Sequence, residues 1–205
     1  MQLLIVDDHP LFRMVLRQIA TATVATPPGI TECSDFAAAC AILGNTSFDL
    51  VLLDLLIPGV SSMEDVFHLV SLCGSTPVAV ISGVADPEVT AMVRLSGAAA
   101  FISKTLPPDE IVSAFRAVLG GDRVFADQVE PAHRGGDAVL TPMQNKVMMQ
   151  LAKGKSNKEI ANELGLSANT IKVHVTKILQ KCGVATRAQA IAAIRRAPLE
   201  IVIDA

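Results

Sequence analysis

A chain of 205 residues, 51% hydrophobic and 18% charged, can bury one substantial core and a second, smaller one. It contains no run of 18 or more uncharged apolar residues, and it reaches Asp7 and Asp8 before a signal-peptide pattern develops, so a soluble, cytoplasmic protein with no membrane partner is expected. The formal charge of -3 hides an asymmetry: residues 1–139 hold 7 Lys/Arg against 16 Asp/Glu, a net of -9, while residues 140–205 hold 10 against 4, a net of +6, which suits a polyanion partner for the second part.

The first 120 residues alternate short apolar runs with helical patterns, the mark of βαβ units and a parallel sheet covered on both faces. Strands are expected at 3–6, 30–33, 50–53, 78–81 and 99–102. Helix ends are legible between them: Asp86 with Pro87 and Glu88 starts one helix, Gly97 stops it, and Pro107, Pro108, Asp109 and Glu110 begin the next. Gly120, Gly121, Pro131, Gly135 and Gly136, with few apolar anchors among them, read as a linker. Beyond it the periodicity is helical, with capping boxes at 141–144, 156–159 and 186–189 and with Gly154, Gly165 and Gly183 where helices would end, which amounts to a compact four-helix unit. Cys33, Cys40, Cys73 and Cys182 form no C-x-x-C pair and no zinc-site spacing, so reduced, mostly buried thiols are expected.

In an open parallel sheet, ligands bind beyond the carboxyl ends of the strands. The polar residues fall at those ends: Asp7 and Asp8 after the first strand, Asp54 after the third, Ser82 after the fourth and Lys104 after the fifth. Three carboxylates in one crevice repel one another unless a cation is present, and Mg2+ takes oxygen ligands while keeping several waters. Such a site suits phosphoryl transfer, in which one carboxylate can be the nucleophile and a lysine and a hydroxyl can hold the phosphoryl oxygens.

Over residues 1–122 the chain resembles the receiver domain of two-component response regulators, a flavodoxin-like, doubly wound sheet of five parallel strands. The matching stretches are Leu3-Leu4-Ile5-Val6-Asp7-Asp8-His9-Pro10, Asp49-Leu50-Val51-Leu52-Leu53-Asp54-Leu55-Leu56-Ile57-Pro58-Gly59, Val80-Ile81-Ser82-Gly83 and Gly97-Ala98-Ala99-Ala100-Phe101-Ile102-Ser103-Lys104. The resemblance implies that Asp54 is the phosphoacceptor, with Lys104 and Ser82 assisting. It further implies that Asp8, Asp54 and the Leu56 carbonyl ligate Mg2+, that Asp7 acts through water, and that Ser82 and Phe101 form a switch pair. Ile57 stands where methionine is frequent and Thr105 where many receivers have proline.

In the basic part, Ile171, Val175, Ile178 and Cys182 recur at helical spacing as one apolar stripe, while the opposite face carries Asn169, Lys172, Val173, Thr176, Lys177 and Gln180. Lysine reaches guanine acceptors and a small apolar group meets a thymine methyl, so this face fits a major-groove reader as well as a solvated helix. From Leu140 to Ile194 the chain resembles the LuxR-type (NarL/FixJ) helix-turn-helix, carried by Leu140-Thr141-Pro142-Met143-Gln144, by Ala152-Lys153-Gly154-Lys155-Ser156-Asn157-Lys158-Glu159-Ile160-Ala161 and by Ser167 through Lys181 with Gly183-Val184-Ala185-Thr186-Arg187. That resemblance implies that Lys172 and Val173 face base edges, with Thr176 and Asn169 on the same face, and that Lys155, Ser156, Asn157, Thr170, Lys177 and Arg187 contact phosphates. Met143-Gln144 replaces the usual Arg-Glu pair, so the salt bridge that glutamate would make is expected to be absent. His174 is expected to be packed rather than base-reading.

The expected organisation is a receiver at 1–122, a linker at 123–138 and a helix-turn-helix domain at 139–205. The expected function is a DNA-binding response regulator, phosphorylated by a sensor histidine kinase with Mg2+, dimerising through 187–195 when activated, and no enzyme beyond its own phosphoryl transfer and autodephosphorylation. The alternatives are a phosphorylation-independent DNA-binding regulator and a Mg2+-dependent phosphohydrolase.

Overall fold

The five apolar runs form the interior of a parallel sheet in a computed structural model that describes residues 1–83, 86–125 and 139–195. In chain order the N-terminal elements are β1 (Gln2–Val6), α1 (Pro10–Thr23), β2 (Gly29–Cys33), α2 (Phe36–Leu43), β3 (Leu50–Asp54), α3 (Met63–Cys73), β4 (Val78–Ser82), α4 (Pro87–Ser96), β5 (Ala100–Ser103), α5 (Pro108–Leu119) and β6 (Val124–Phe125). The strand order is β2-β1-β3-β4-β5-β6, with every neighbouring pair parallel.

Alternation along the strands divides the interior into two layers. Leu4, Val6, Val51, Leu53, Val78 and Val80 face α2, α3 and α4, while Leu3, Ile5, Leu50, Leu52, Ala79 and Ile81 face α1 and α5. Because both faces are covered, the strands carry apolar residues at consecutive positions rather than every second one. The helix ends fall where expected: the Asp86 carboxylate caps α4 by accepting from the amides of Glu88 and Val89, and Gly97, at φ 99°, ends it in the left-handed region.

The sheet has six strands, one more than expected, and the sixth lies inside the stretch expected to be linker. Two residues are too short to show a period, and Gly120 and Gly121 just before them signal a turn. What makes Val124–Phe125 a strand is tertiary: the Val124 amide donates to the Ala99 carbonyl at 3.0 Å, and the Phe125 ring is buried beneath the Arg94 and Arg123 guanidiniums, at 4.5 and 5.6 Å from its centroid. The rest of the expected linker, 126–138, and the end of the chain, 196–205, lie outside the described residues.

The C-terminal unit contains α6 (Pro142–Ala152), α7 (Asn157–Leu164), α8 (Ala168–Lys181) and α9 (Arg187–Arg195). Capping boxes open α6 at Thr141/Gln144 and α7 at Ser156/Glu159. At α9, Thr186 and Gln189 exchange the same two bonds. The buried core of this unit is continuous with the α3 side of the sheet: Val147, Met148, Leu151, Ile171, Ile178 and Ile194 belong to the same cluster as Val66, Phe67 and Val70. Helix α6 packs on α3 and so does α9.

Candidate functional site

The register of the strands assembles the first site. Val6 is level with Leu53, Asp54 with Ile81 and Ser82 with Ser103, so Asp7, Asp54, Ser82 and Lys104 leave neighbouring strands at one edge of the sheet. Strands β3 and β4 each run one residue further than expected and take in Asp54 and Ser82 themselves, which gives both residues a backbone fixed by the ladder.

Asp7 and Asp54 are almost fully buried, at 1% and 2% exposure, and Ser82 is fully buried. Buried carboxylates require a partner, and Lys104 supplies it: Nζ donates to Asp7 Oδ2 and to Asp54 Oδ2, both at 2.7 Å. The Leu56 amide donates to Asp54 Oδ1 at 3.1 Å, and the Lys104 amide to the Ser82 carbonyl at 2.8 Å. Burial nevertheless pushes the Asp54 carboxyl above its ordinary value, outweighing the opposing hydrogen bond and charge of Lys104. Phe101 is buried in the core beneath β5.

The four acidic-end groups Asp7, Asp8, His9 and Asp54 bring one ligand atom each within 4.8 Å of one another. Asp8 Oδ1 is shielded from solvent without hydrogen-bonding geometry to any protein donor among the described residues, although the His9 Nδ1 stands 2.7 Å away. A shielded carboxylate oxygen beside two more carboxylates is a donor set for a hard cation, and Mg2+ fits it.

Three residues of this site escaped the sequence reading. His9 directs Nδ1 at Asp8, with Asp7 Oδ1 at 3.3 Å and Asp54 Oδ2 at 3.9 Å. Phe12 places its ring 4.5 Å from Lys104 Nζ. Arg13 donates from Nη1 to the Asp7 carbonyl at 2.6 Å and pairs with Glu32 at 3.2 Å, tying α1 to the ends of β1 and β2. All three follow directly on the Asp7-Asp8 pair, and the signal for Phe12 and Arg13 is that Pro10 at the first helical position aims the first turn of α1 back over the strand ends.

The second site is the outer face of α8. Ile171 and Ile178 are buried with Val175 and Cys182 packed beside them, as the stripe requires. Asn169, Thr170, Lys172, Val173, Thr176 and Lys177 are exposed, and Val173 is the least expected of them, an apolar side chain at 55% exposure. Thr170 is engaged at the helix start with Ser167, and the Thr176 hydroxyl donates to the Lys172 carbonyl. Of the other expected phosphate contacts, Ser156 caps α7, Asn157 is that helix's first residue, Lys155 pairs with Glu163, and Arg187 donates to the Lys155 carbonyl. His174 is half-buried, with Nδ1 shielded from solvent. Where the Glu of the usual pair is missing, Gln144 accepts from the Lys181 ammonium at 3.0 Å, an ion–amide hydrogen bond rather than a salt bridge. Burial pushes the Cys33, Cys73 and Cys182 thiols up to about 11, 12 and 11, so they stay protonated at neutral pH, and all four cysteines are free.

The two units meet away from both sites. Asn145, buried on α6, donates from Nδ2 to the Ser96 carbonyl at the end of α4. The Leu140 amide donates to the Leu95 carbonyl at 3.1 Å, and Arg195 Nε lies 3.5 Å from Glu64 on α3. No described helix is long and apolar enough to cross a membrane.

Two family models match parts of the chain. Residues 3–116 match the response regulator receiver domain, and residues 138–194 match the bacterial regulatory proteins of the luxR family. The chain is 33% identical to the nitrate/nitrite response regulator protein NarP of Escherichia coli over 203 residues, 92% of each protein. It is 31% identical to a glycerol metabolism activator of Pseudomonas putida over 93% of each. Among solved structures, RcsB of Salmonella enterica bound to the promoter P1flhDC in the presence of the phosphomimetic BeF3- superimposes with a TM-score of 0.56 at 21% identity, over 95% of this chain and 98% of that one. These relatives are transcription regulators, and neither the phosphohydrolase nor the phosphorylation-independent reading is favoured by them.

Proposed function

The chain belongs to the luxR-family response regulators, DNA-binding proteins with a receiver domain that act in two-component systems, and from that premise we propose that Asp54 accepts a phosphoryl group from a sensor histidine kinase and thereby controls a homodimeric, DNA-bound state. The observation that carries this reading is the Lys104 ammonium held 2.7 Å from both the Asp7 and Asp54 carboxylates at the open edge of the sheet.

An Asp54 carboxylate oxygen attacks the phosphorus of a phosphohistidine, the P–N bond breaks, and the departing imidazole keeps the electron pair and takes up a proton. Lys104 then turns from the Asp54 carboxylate to a phosphoryl oxygen, and the Ser82 hydroxyl supplies a second bond from the adjacent strand. Asp8, Asp54 and the Leu56 carbonyl would hold Mg2+, with Asp7 assisting from beside them, and the ion would supply charge neutralisation for the transferring group. Ser82 and Phe101 would form the switch, and α4, which follows β4 directly, leads from it to the Ser96 carbonyl that Asn145 holds.

The receiver is assigned to 1–122, with β6 extending its sheet into the linker at 123–138, and the DNA-binding domain to 139–205. Lys172, Val173, Asn169 and Thr176 would meet base edges, and Lys177, Thr170, Asn157, Ser156, Lys155 and Arg187 phosphates. Helix α9 packs on α3 in the docked form, and phosphorylation would favour a parted form in which α9 is free to dimerise, a population shift of several kcal/mol. The test is labelling by acetyl phosphate or a phosphorylated kinase with Mg2+: the intact protein should take one phosphoryl group and Asp54→Asn none, whereas labelling of that variant overturns the assignment.

A further inference from the structure

Phe12 has no polar atom and lies outside every position to which the chemistry of the site assigns a task, yet it is built against the ammonium that bridges Asp7 and Asp54. Its ring lies 4.5 Å from Lys104 Nζ, and together with Leu11, Val15 and Leu56 it walls a cavity of about 420 Å3 that opens over Asp54 and Lys104. Resting on the reading of Asp54 as phosphoacceptor, we propose that Phe12 is a positioning residue for Lys104. The ring face holds the ammonium at the mouth of the site while its hydrogen bonds are exchanged from carboxylate to phosphoryl oxygen.

The need for such a holder follows from the chemistry. In the resting state Lys104 has two charged anchors, Asp7 Oδ2 and Asp54 Oδ2. Phosphorylation turns one Asp54 oxygen into the bridging oxygen of an acyl phosphate, a far weaker acceptor, and the other into a neutral carbonyl. The ammonium, on a flexible four-carbon stem, keeps Asp7 and has to travel from the Asp54 carboxylate to a phosphoryl oxygen at the mouth of the cavity. An aromatic face attracts a cation through its quadrupole without demanding a particular N–H direction, so its hold is the same before, during and after the exchange. Apolar cavity walls strengthen that attraction by excluding water.

Phe12 is also stiffly mounted. It sits in the first turn of α1, its amide donates to the His9 carbonyl at 3.1 Å, and the adjacent Arg13 clamps that turn to the Asp7 carbonyl and to Glu32. A ring carried on a fixed turn can set the position of a flexible side chain; the reverse does not hold.

The test compares Phe12→Leu, which keeps apolar bulk but removes the π face, with Phe12→Tyr, which keeps it. Each full-length protein is titrated with beryllofluoride at fixed Mg2+, and the Lys104 ε-methylene protons are followed by NMR. The wild type should bind beryllofluoride and show these protons shifted upfield by the ring current. Phe12→Leu should lose the upfield shift and bind about 3- to 20-fold more weakly, while Phe12→Tyr should match the wild type in both. Equal affinity of Phe12→Leu and wild type, equal weakening in both variants, or no upfield shift in the wild type would each overturn the proposal. Failure of the wild type to bind beryllofluoride at all would instead overturn the phosphoacceptor reading on which it rests.

Discussion

The two working surfaces of this chain are built in opposite ways. At the carboxyl end of the sheet the charges are buried and answer one another: Asp7 and Asp54 share one ammonium, and backbone amides and the Arg13 guanidinium fix what surrounds them. On α8 the side chains point outward, and Asn169, Lys172 and Lys177 make no hydrogen bond or ion pair through their side chains among the described residues. The first is organised before its partner arrives; the second becomes a site only against one. Substitution at the buried site should therefore move chemistry and folding stability together, whereas substitution on α8 should move binding alone.

The sharpest separation is Asp54→Asn. Loss of the nucleophile should reduce phosphoryl labelling by at least about a thousandfold, measured by phosphate-affinity electrophoresis. The affinity of the unphosphorylated protein for DNA should stay within about twofold, because α8 lies in the other unit and additivity holds between distant sites. A large change in that affinity would mean that the two surfaces are not separable in the resting state.

The reciprocal experiment is on α8. Lys172→Ala should cost about 1–3 kcal/mol in specific DNA binding and relax preference at one base pair. Lys177→Ala should weaken binding to all sequences alike and lower the salt slope by about 1. Fluorescence anisotropy with labelled duplexes at several salt concentrations separates the two outcomes, and beryllofluoride binding should be unchanged in both variants. If Lys172→Ala weakened all sequences equally, Lys172 would be a phosphate contact and the base-reading face would lie elsewhere on the helix.

The same contrast explains what could be read from the sequence. A buried site in an open parallel sheet is announced by position: polar residues ending apolar strands must lie at one edge, and Asp7, Asp54, Ser82 and Lys104 do. The helix caps are equally local, and Thr141, Ser156 and Asp86 behave as their side chains dictate. What could not be read is contact made across the fold. Phe12 looks like an ordinary core residue until α1 is placed over Lys104, and Val124–Phe125 looks like linker until two arginines cover the ring. Asn145 is a polar helix residue that is 3% exposed because α6 is laid against α4. Each depends on which elements the fold lays against one another, and the one local hint, Pro10 at the start of α1, gives that helix's direction and not the contact.

Asn145 also provides a test of how firmly the two units are joined. Removing its side chain leaves the Ser96 carbonyl without that donor in a buried setting, so Asn145→Ala should destabilise the contact by about 1–2 kcal/mol. Calorimetry should resolve the two units into separate unfolding transitions where the intact protein shows closer coupling. Coupling unaffected by the substitution would place the join in the apolar packing of α6 and α9 on α3 rather than in this bond.

The smallest effect concerns the cost of keeping the acidic site ready. Burial raises the Asp54 carboxyl above its ordinary value, so the folded chain holds that proton more tightly than the unfolded chain does. The associated stability is fully present below the ordinary carboxylate range and is lost as pH rises through the raised value, which leaves the ionised site a liability at neutral pH. Asp54→Asn removes the titration while keeping an oxygen for Lys104. It should therefore raise the melting temperature at neutral pH, and the two melting curves should converge as the pH falls. Mg2+ should narrow the neutral-pH gap from the other side, because an ion that binds the folded site stabilises it by mass action and the wild type has one more carboxylate with which to hold it. A variant less stable than the wild type at neutral pH without Mg2+ would show that the Lys104 pair repays more than burial costs, and the site would then be a fold-stabilising ion pair as much as one kept open for a phosphoryl group.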